Sequence, residues 1–147
     1  MTFTMQSKLI NDEREKTFVL VFETGDEVTA GLLDFAKQHK LAAAHFTAIG
    51  AFQELTLGYF DWQSKEYEKI PMREQVEVLS LVGNIVETDK GPKLHAHVVV
   101  GKRDGSAHGG HLVDAHVRPT LEVMLVESPS HLQRRHDDAS GLALIKL

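Results

Sequence analysis

The chain contains no cysteine. Disulfides and thiolate metal sites are therefore excluded, and any transition-metal site must draw on histidine with carboxylates. No run approaches the roughly 18 apolar residues of a membrane-spanning helix. The opening Met1-Thr2-Phe3-Thr4-Met5-Gln6-Ser7-Lys8 lacks the basic segment and long apolar core of a signal peptide. The expectation is a soluble cytoplasmic protein with no membrane partner. Positive charge is sparse as well: 16 Lys and Arg stand against 21 Asp and Glu, giving a net charge of −5. The one tight basic cluster is Arg134-Arg135 beside His136. Nucleic-acid binding draws most of its affinity from Lys and Arg neutralising phosphates, so this balance disfavours DNA binding by the chain alone. Low-complexity segments and interdomain linkers are also missing. With 147 residues, 42% hydrophobic and 25% charged, the chain is read as a single domain over 1–147. Such a domain buries about two thirds of its unfolded surface.

Histidine, by contrast, is concentrated. Of nine, five (His95, His97, His108, His111, His116) fall between residues 95 and 116. In a strand, side chains two apart share a face, so His95 and His97 project together. Asp104-Gly105 is a strong turn signal. A reversal there places His97 and His111 roughly opposite each other on antiparallel strands, about 4.5–5.5 Å apart at Cβ. Three imidazoles on one face of a hairpin make a site for zinc or another borderline divalent ion, with a position left open for water or a ligand. A solvated or hydrogen-bonded histidine cluster is the competing reading.

Neighbouring residues carry paired readings too. His108 is a fourth ligand or acid–base group, or exposed loop. His116, at an odd spacing from His111, points to the surface or a subunit contact. His45, between Ala44 and Phe46, is a core or interface histidine, whereas His39, His131 and His136 need no special role. Glu122, between Leu121 and Val123, either bonds a ligand histidine or faces outward from its strand. Gly109 and Gly110 permit the positive φ of a tight turn beside a metal, or form a flexible loop tip. Trp62 and Tyr67 flank a polar turn and are assigned to packing, with the lining of a cleft as the alternative.

The coarse pattern is one helix among eight or nine short strands, an α+β domain with a mostly antiparallel sheet. Thr17 to Phe22 reads as a buried strand. Val28, Leu32, Leu33, Phe35 and Ala36 recur at helical spacing, predicting a helix over residues 27–39 capped by Asp26 or Thr24. Strands are expected at 43–49, ending at Gly50, and at 54–61, 66–70 and 75–83, the last of these central. Further strands are expected at 94–101, 111–117, 121–126 and 142–147. Residues 127–141 look like a polar excursion.

In order along the chain stand Gly50-Ala51, Leu57-Gly58-Tyr59-Phe60, Leu79-Ser80-Leu81-Val82-Gly83-Asn84-Ile85, His95-Ala96-His97, Gly109-Gly110-His111-Leu112 and Leu121-Glu122-Val123. Together, from about residue 17 to 147, they resemble the plants-and-prokaryotes-conserved (PPC) domain family. The resemblance implies a compact α+β fold, assembly with itself as a homotrimer, and a divalent metal, usually zinc, on His95, His97 and His111. Plant members carry an AT-hook beside the domain; here the one Arg-Pro, Arg118-Pro119, lacks the preceding Arg-Gly. The histidine set also resembles the metal site of acetolactate decarboxylase. That similarity implies an alternative, a metal-dependent enzyme on a small oxo- or hydroxy-acid, with Glu122, Arg73 or Glu74 as candidates for proton delivery. The leading expectation is a homotrimeric zinc-binding module for binding or regulation, with a small-molecule ligand at the metal. A DNA-associated protein is the weaker alternative.

Overall fold

The structure, a computed structural model, describes residues 4–11, 15–128 and 132–146. Among these the period-two patterns become nine strands around one helix: β1 (Gln6–Asn11), β2 (Thr17–Glu23), α1 (Val28–Gln38), β3 (Ala43–Asp61), β4 (Glu66–Met72), β5 (Val76–Thr88), β6 (Gly91–Gly101), β7 (Ala107–Glu127), β8 (Gln133–His136) and β9 (Ala143–Lys146). The α+β expectation holds. Strand pairing is antiparallel apart from one parallel bridge between β5 and β8, at Glu87 and Gln133.

Four long strands close on one another. β3 pairs with both β5 and β7, and β6 joins the other edges of β5 and β7. Closure satisfies strand edges that would otherwise offer unpaired backbone groups. The inward faces bury Phe46, Phe52, Leu57, Leu81, Ile85 and Leu125 in one core. The helix packs against β6 and β7 through Val28, Leu32, Phe35 and Ala36, the spacing anticipated from sequence. Its cap is not the expected one. Glu27 takes that position and its carboxylate accepts from the backbone N–H of Thr29 at 3.2 Å and Ala30 at 2.6 Å. Asp26 is instead buried, accepting from the Glu23 N–H and from the backbone and hydroxyl of Thr4. Thr24 donates to the Pro119 carbonyl.

The strands are fewer and longer where the sequence suggested breaks. Residues 43–49 and 54–61 form the single strand β3, which bends through register shifts around Gly50 and Phe52. Bulges increase local twist, and here they carry β3 from its partner β5 to its partner β4. Gly50 does not end the strand. It admits the backbone of β7, since a Cβ there would sit 2.8 Å from Leu121 Cα and closer still to the Thr120 carbonyl. β7 likewise runs unbroken through Arg118-Pro119, whose peptide is cis. Two strands, β1 and β8, were not anticipated. β8 lies in the segment read as a polar excursion, and it buries Arg134. Leu147 and His131 lie outside the described residues. No helix among those described is long and apolar enough to cross a membrane.

Gly50→Ala places a methyl group against backbone that side-chain rotation cannot move. The expected loss is about 1–3 kcal/mol of stability, seen as a lower urea midpoint with an unchanged slope.

Candidate metal centre

In β6, inward Ala96, Val98 and Val100 alternate with outward His95, His97 and Val99. The chain reverses at 102–106, where Lys102 N–H donates to the Ser106 carbonyl and Gly105 N–H to the Lys102 carbonyl, both at 2.9 Å. Gly105 supplies the positive φ of +82°, and Asp104 Oδ1 accepts from the backbone and hydroxyl of Ser106. That turn sets a register in which His97 is directly opposite His111. Since His111 also points outward, three rings meet on one face. Their candidate ligand nitrogens all lie within 4.8 Å of one another, and the Nε2 atoms of His95 and His97 are 3.2 Å apart.

Partial burial shapes their charge. Loss of hydration lowers the pKa of His95, helped by the charges of His97, Arg134 and Lys93. The same loss of hydration, with His95, His97 and Lys93, takes His111 down to about 4. Both rings are therefore neutral near pH 7 and able to offer lone pairs. A tetrahedral zinc with Zn–N bonds of about 2.0–2.1 Å holds its nitrogens roughly 3.3 Å apart, the spacing of the His95–His97 pair. His111 also keeps a buried Nδ1 with no hydrogen-bond partner. Among the described residues the donor set is all imidazole, without a carboxylate, and it suits zinc or another borderline divalent ion.

The remaining candidates are not brought to this cluster. His108 is exposed, opposite Val100 and 3.4 Å from the Ser106 hydroxyl. His116 Nδ1 stands 3.5 Å from Glu54 Oε1. His45 is exposed, which corrects the core reading: between inward Ala44 and Phe46 it takes the outer face of β3. Glu122 is exposed on the outer face of β7, in register with Val21 and Ile49. Arg73 reaches the Leu55 carbonyl and Glu54, and Glu74 pairs with Lys102 at 2.8 Å. Gly109 and Gly110 form neither a loop tip nor a positive-φ turn. They lie within β7 and allow close strand approach, for a Cβ on Gly110 would come 2.9 Å from the Gly58 carbonyl.

Asn84 and Arg134 have no site role in the sequence reading, whereas Tyr67, read as packing or as a cleft wall, is both. Tyr67 stacks on His111 with ring centroids 4.3 Å apart. Gly58 makes room for this, since a Cβ there would crowd Tyr67 Cδ1 at 3.1 Å. Trp62 is exposed, with the Lys65 ammonium over its ring and Phe60 edge-on to it. Asn84 is the register partner of His95, and Arg134 donates to its Oδ1 at 2.6 Å. The contacts of Tyr67, Asn84 and Arg134 have no local signature, because each joins residues from different strands. A cavity of about 520 Å³ opens beside the cluster, lined by Tyr67, His97, Gly110, His111, Val82 and Phe60. A smaller one of about 270 Å³ lies against Asn84, His95 and His97.

Comparison with known proteins agrees with this architecture. The family model of the Plants and Prokaryotes Conserved (PCC) domain matches residues 10–129. The structure is similar to a plant- and prokaryote-conserved (PPC) protein from Pyrococcus horikoshii, at 30% identity and TM-score 0.84 over 100% of this chain and 98% of that one. It is similar to a metal-containing protein from Archaeoglobus fulgidus at 34% identity and TM-score 0.81, covering 98% and 97%. A Bacteroides thetaiotaomicron protein provisionally called DNA-binding matches at 27% identity and TM-score 0.87, covering 95% and 96%. A Staphylococcus aureus protein of unknown function, similar to alpha-acetolactate decarboxylase, shares the fold alone, at 12% identity and TM-score 0.53 over 80% of this chain and 52% of that one. No curated protein matches the chain.

The lowered pKa of His111 has a consequence for the metal-free protein. Between about 4 and the ordinary 6.5, the unfolded chain binds a proton that the folded chain refuses, so stability falls as pH drops through that window. Thermal unfolding of chelator-treated protein is expected to show this fall from pH 6.5 toward 4. His111→Asn should flatten it.

Proposed function

The chain belongs to the Plants and Prokaryotes Conserved domain family, and on that premise we propose that it is a zinc-binding, self-associating module for binding or regulation. The convergence of His95, His97 and His111 on one outer face carries this reading. Three imidazole ligands leave a divalent ion a position for water or an external ligand, where the ion would supply Lewis acidity. The metal-containing relative from A. fulgidus supports a metal here. A cytoplasmic setting agrees with a chain free of cysteine.

Self-association as a homotrimer draws support from the same face of the sheet. Ile49 is 60% exposed, Leu79 52%, Val82 48% and Met124 44%. Together with Val19 and Val21 they border one groove, and Val82 also borders the cavity beside His97 and His111. Contiguous exposed apolar surface of this kind marks association sites, and covering it would set the histidines near a subunit boundary.

A second reading is a metal-dependent enzyme on a small oxo- or hydroxy-acid. The cavity of about 520 Å³ against two candidate ligands favours it, being of the size that small-molecule sites have. Glu122, Arg73 and Glu74 stand elsewhere, so proton donation in such chemistry would fall to Tyr67, which burial keeps protonated. DNA association is the weaker reading, for a chain of net charge −5 has few cations to set against phosphates.

Metal analysis after zinc loading and desalting is expected to find about one ion per native chain and more than a tenfold loss in His97→Ala. A native chain that retains no zinc, or a variant that retains as much, overturns the metal reading. Sedimentation should give a trimer for the native chain and a monomer for Ile49→Asp combined with Met124→Asp.

A further inference from the structure

Asn84 and His95 are directly opposed on β5 and β6, so their side chains share the outer face and stand side by side. The amide of Asn84 is oriented by its partner. Arg134 is only 7% exposed, and its Nη2 lies 2.6 Å from one atom of that amide while Nη1 donates to the Ala143 carbonyl. A guanidinium has donors and no acceptor, so the atom facing it is the oxygen Oδ1. The Nδ2 group is thereby turned away from Arg134, and it makes no hydrogen bond among the described residues. Asn84 lines the cavity of about 270 Å³ that His95 and His97 also line. The result is an N–H donor held beside the candidate ligands by a buried cation.

The charge around the cluster points the same way. Imidazole ligands bring no negative charge to cancel that of a divalent ion, and no carboxylate joins the cluster among the described residues. Lys93 stands two residues before His95 on the same strand, and buried Arg134 is bonded to its register partner Asn84, so cations flank this end of the cluster. An anion is the ligand that such a field selects. A carboxylate carries two oxygens and so can use both an ion and a neighbouring N–H donor.

We propose that Asn84 is a specificity-determining residue of this site, its Nδ2 donating to one oxygen of a small carboxylate whose other oxygen meets the ion. Arg134 is the positioning residue that keeps the donor edge of Asn84 outward. The inference rests on the metal reading above and adds to it the chemical class of the external ligand.

The test uses the full chain loaded with Co2+, whose visible spectrum reports tetrahedral coordination, titrated separately with acetate and with azide. Azide needs only the ion; acetate also uses the amide. In Asn84→Ala, acetate affinity is expected to fall about tenfold or more, the effect of losing a hydrogen bond to a charged group, with the Co2+ spectrum and azide affinity unchanged. Asn84→Asp keeps an acceptor for Arg134 and so preserves that buried contact, but it presents no donor; it should lose acetate binding altogether. Equal acetate affinity in native protein and either variant overturns the proposal while leaving the metal reading intact. A parallel loss of azide in Asn84→Ala also overturns it, since Asn84 would then be acting through the ion. Failure of the native chain to give a Co2+ spectrum overturns the metal reading, and this proposal with it.

Discussion

The register between β6 and β7 is the constraint on which the site depends. Because side chains alternate with period two, a slip of one residue would send the β6 histidines or His111 to the opposite face. Three features hold the pairing in place. The turn at 102–106 fixes where the chain reverses. The inward rows Ala96, Val98, Val100 and Leu112 lock each strand to the core. Paired glycines at 109 and 110 let β7 approach its neighbours closely. Convergence of the imidazoles is thus a by-product of burying aliphatic side chains on the other side of the same strands.

That arrangement sets the electrostatics. The His95 and His111 rings are half shielded on the outer face of the closed sheet, His111 by Tyr67 among others, enough to disfavour protonation without sealing them from solvent. Burying a polar group without a partner is unfavourable, and the orphaned Nδ1 of His111 is the kind of exception that a functional site tolerates. Around the rings, exposed apolar residues share the same outer face of the sheet.

Much of this was legible one strand at a time. The His-x-His spacing, the Asp104-Gly105 reversal and the opposition of His97 to His111 followed from strand periodicity and turn chemistry, and the structure has all three. The helix was equally plain from its apolar spacing. Its cap was not, because Glu27, Asp26 and Thr24 are all competent acceptors, and the choice turned on which could also reach Thr4, Ala115 or Pro119 from distant segments. Breaks expected at Gly50 and Pro119 failed for a related reason. Both residues usually punctuate strands, yet here the two bends coincide where β3 and β7 cross closely.

By itself, then, the amino-acid order determined which residues alternate, where the chain turns, and that a transition-metal site without cysteine would draw on histidine nitrogens. Tertiary structure decided which side chains attend those ligands. Tyr67 reaches His111 across Gly58, Asn84 faces His95, and Arg134 crosses from a strand that a polar segment concealed. Those contacts span up to 50 positions of sequence. Local periodicity carries no information about them, because they exist only once the sheet has closed and brought separate strands within hydrogen-bonding distance.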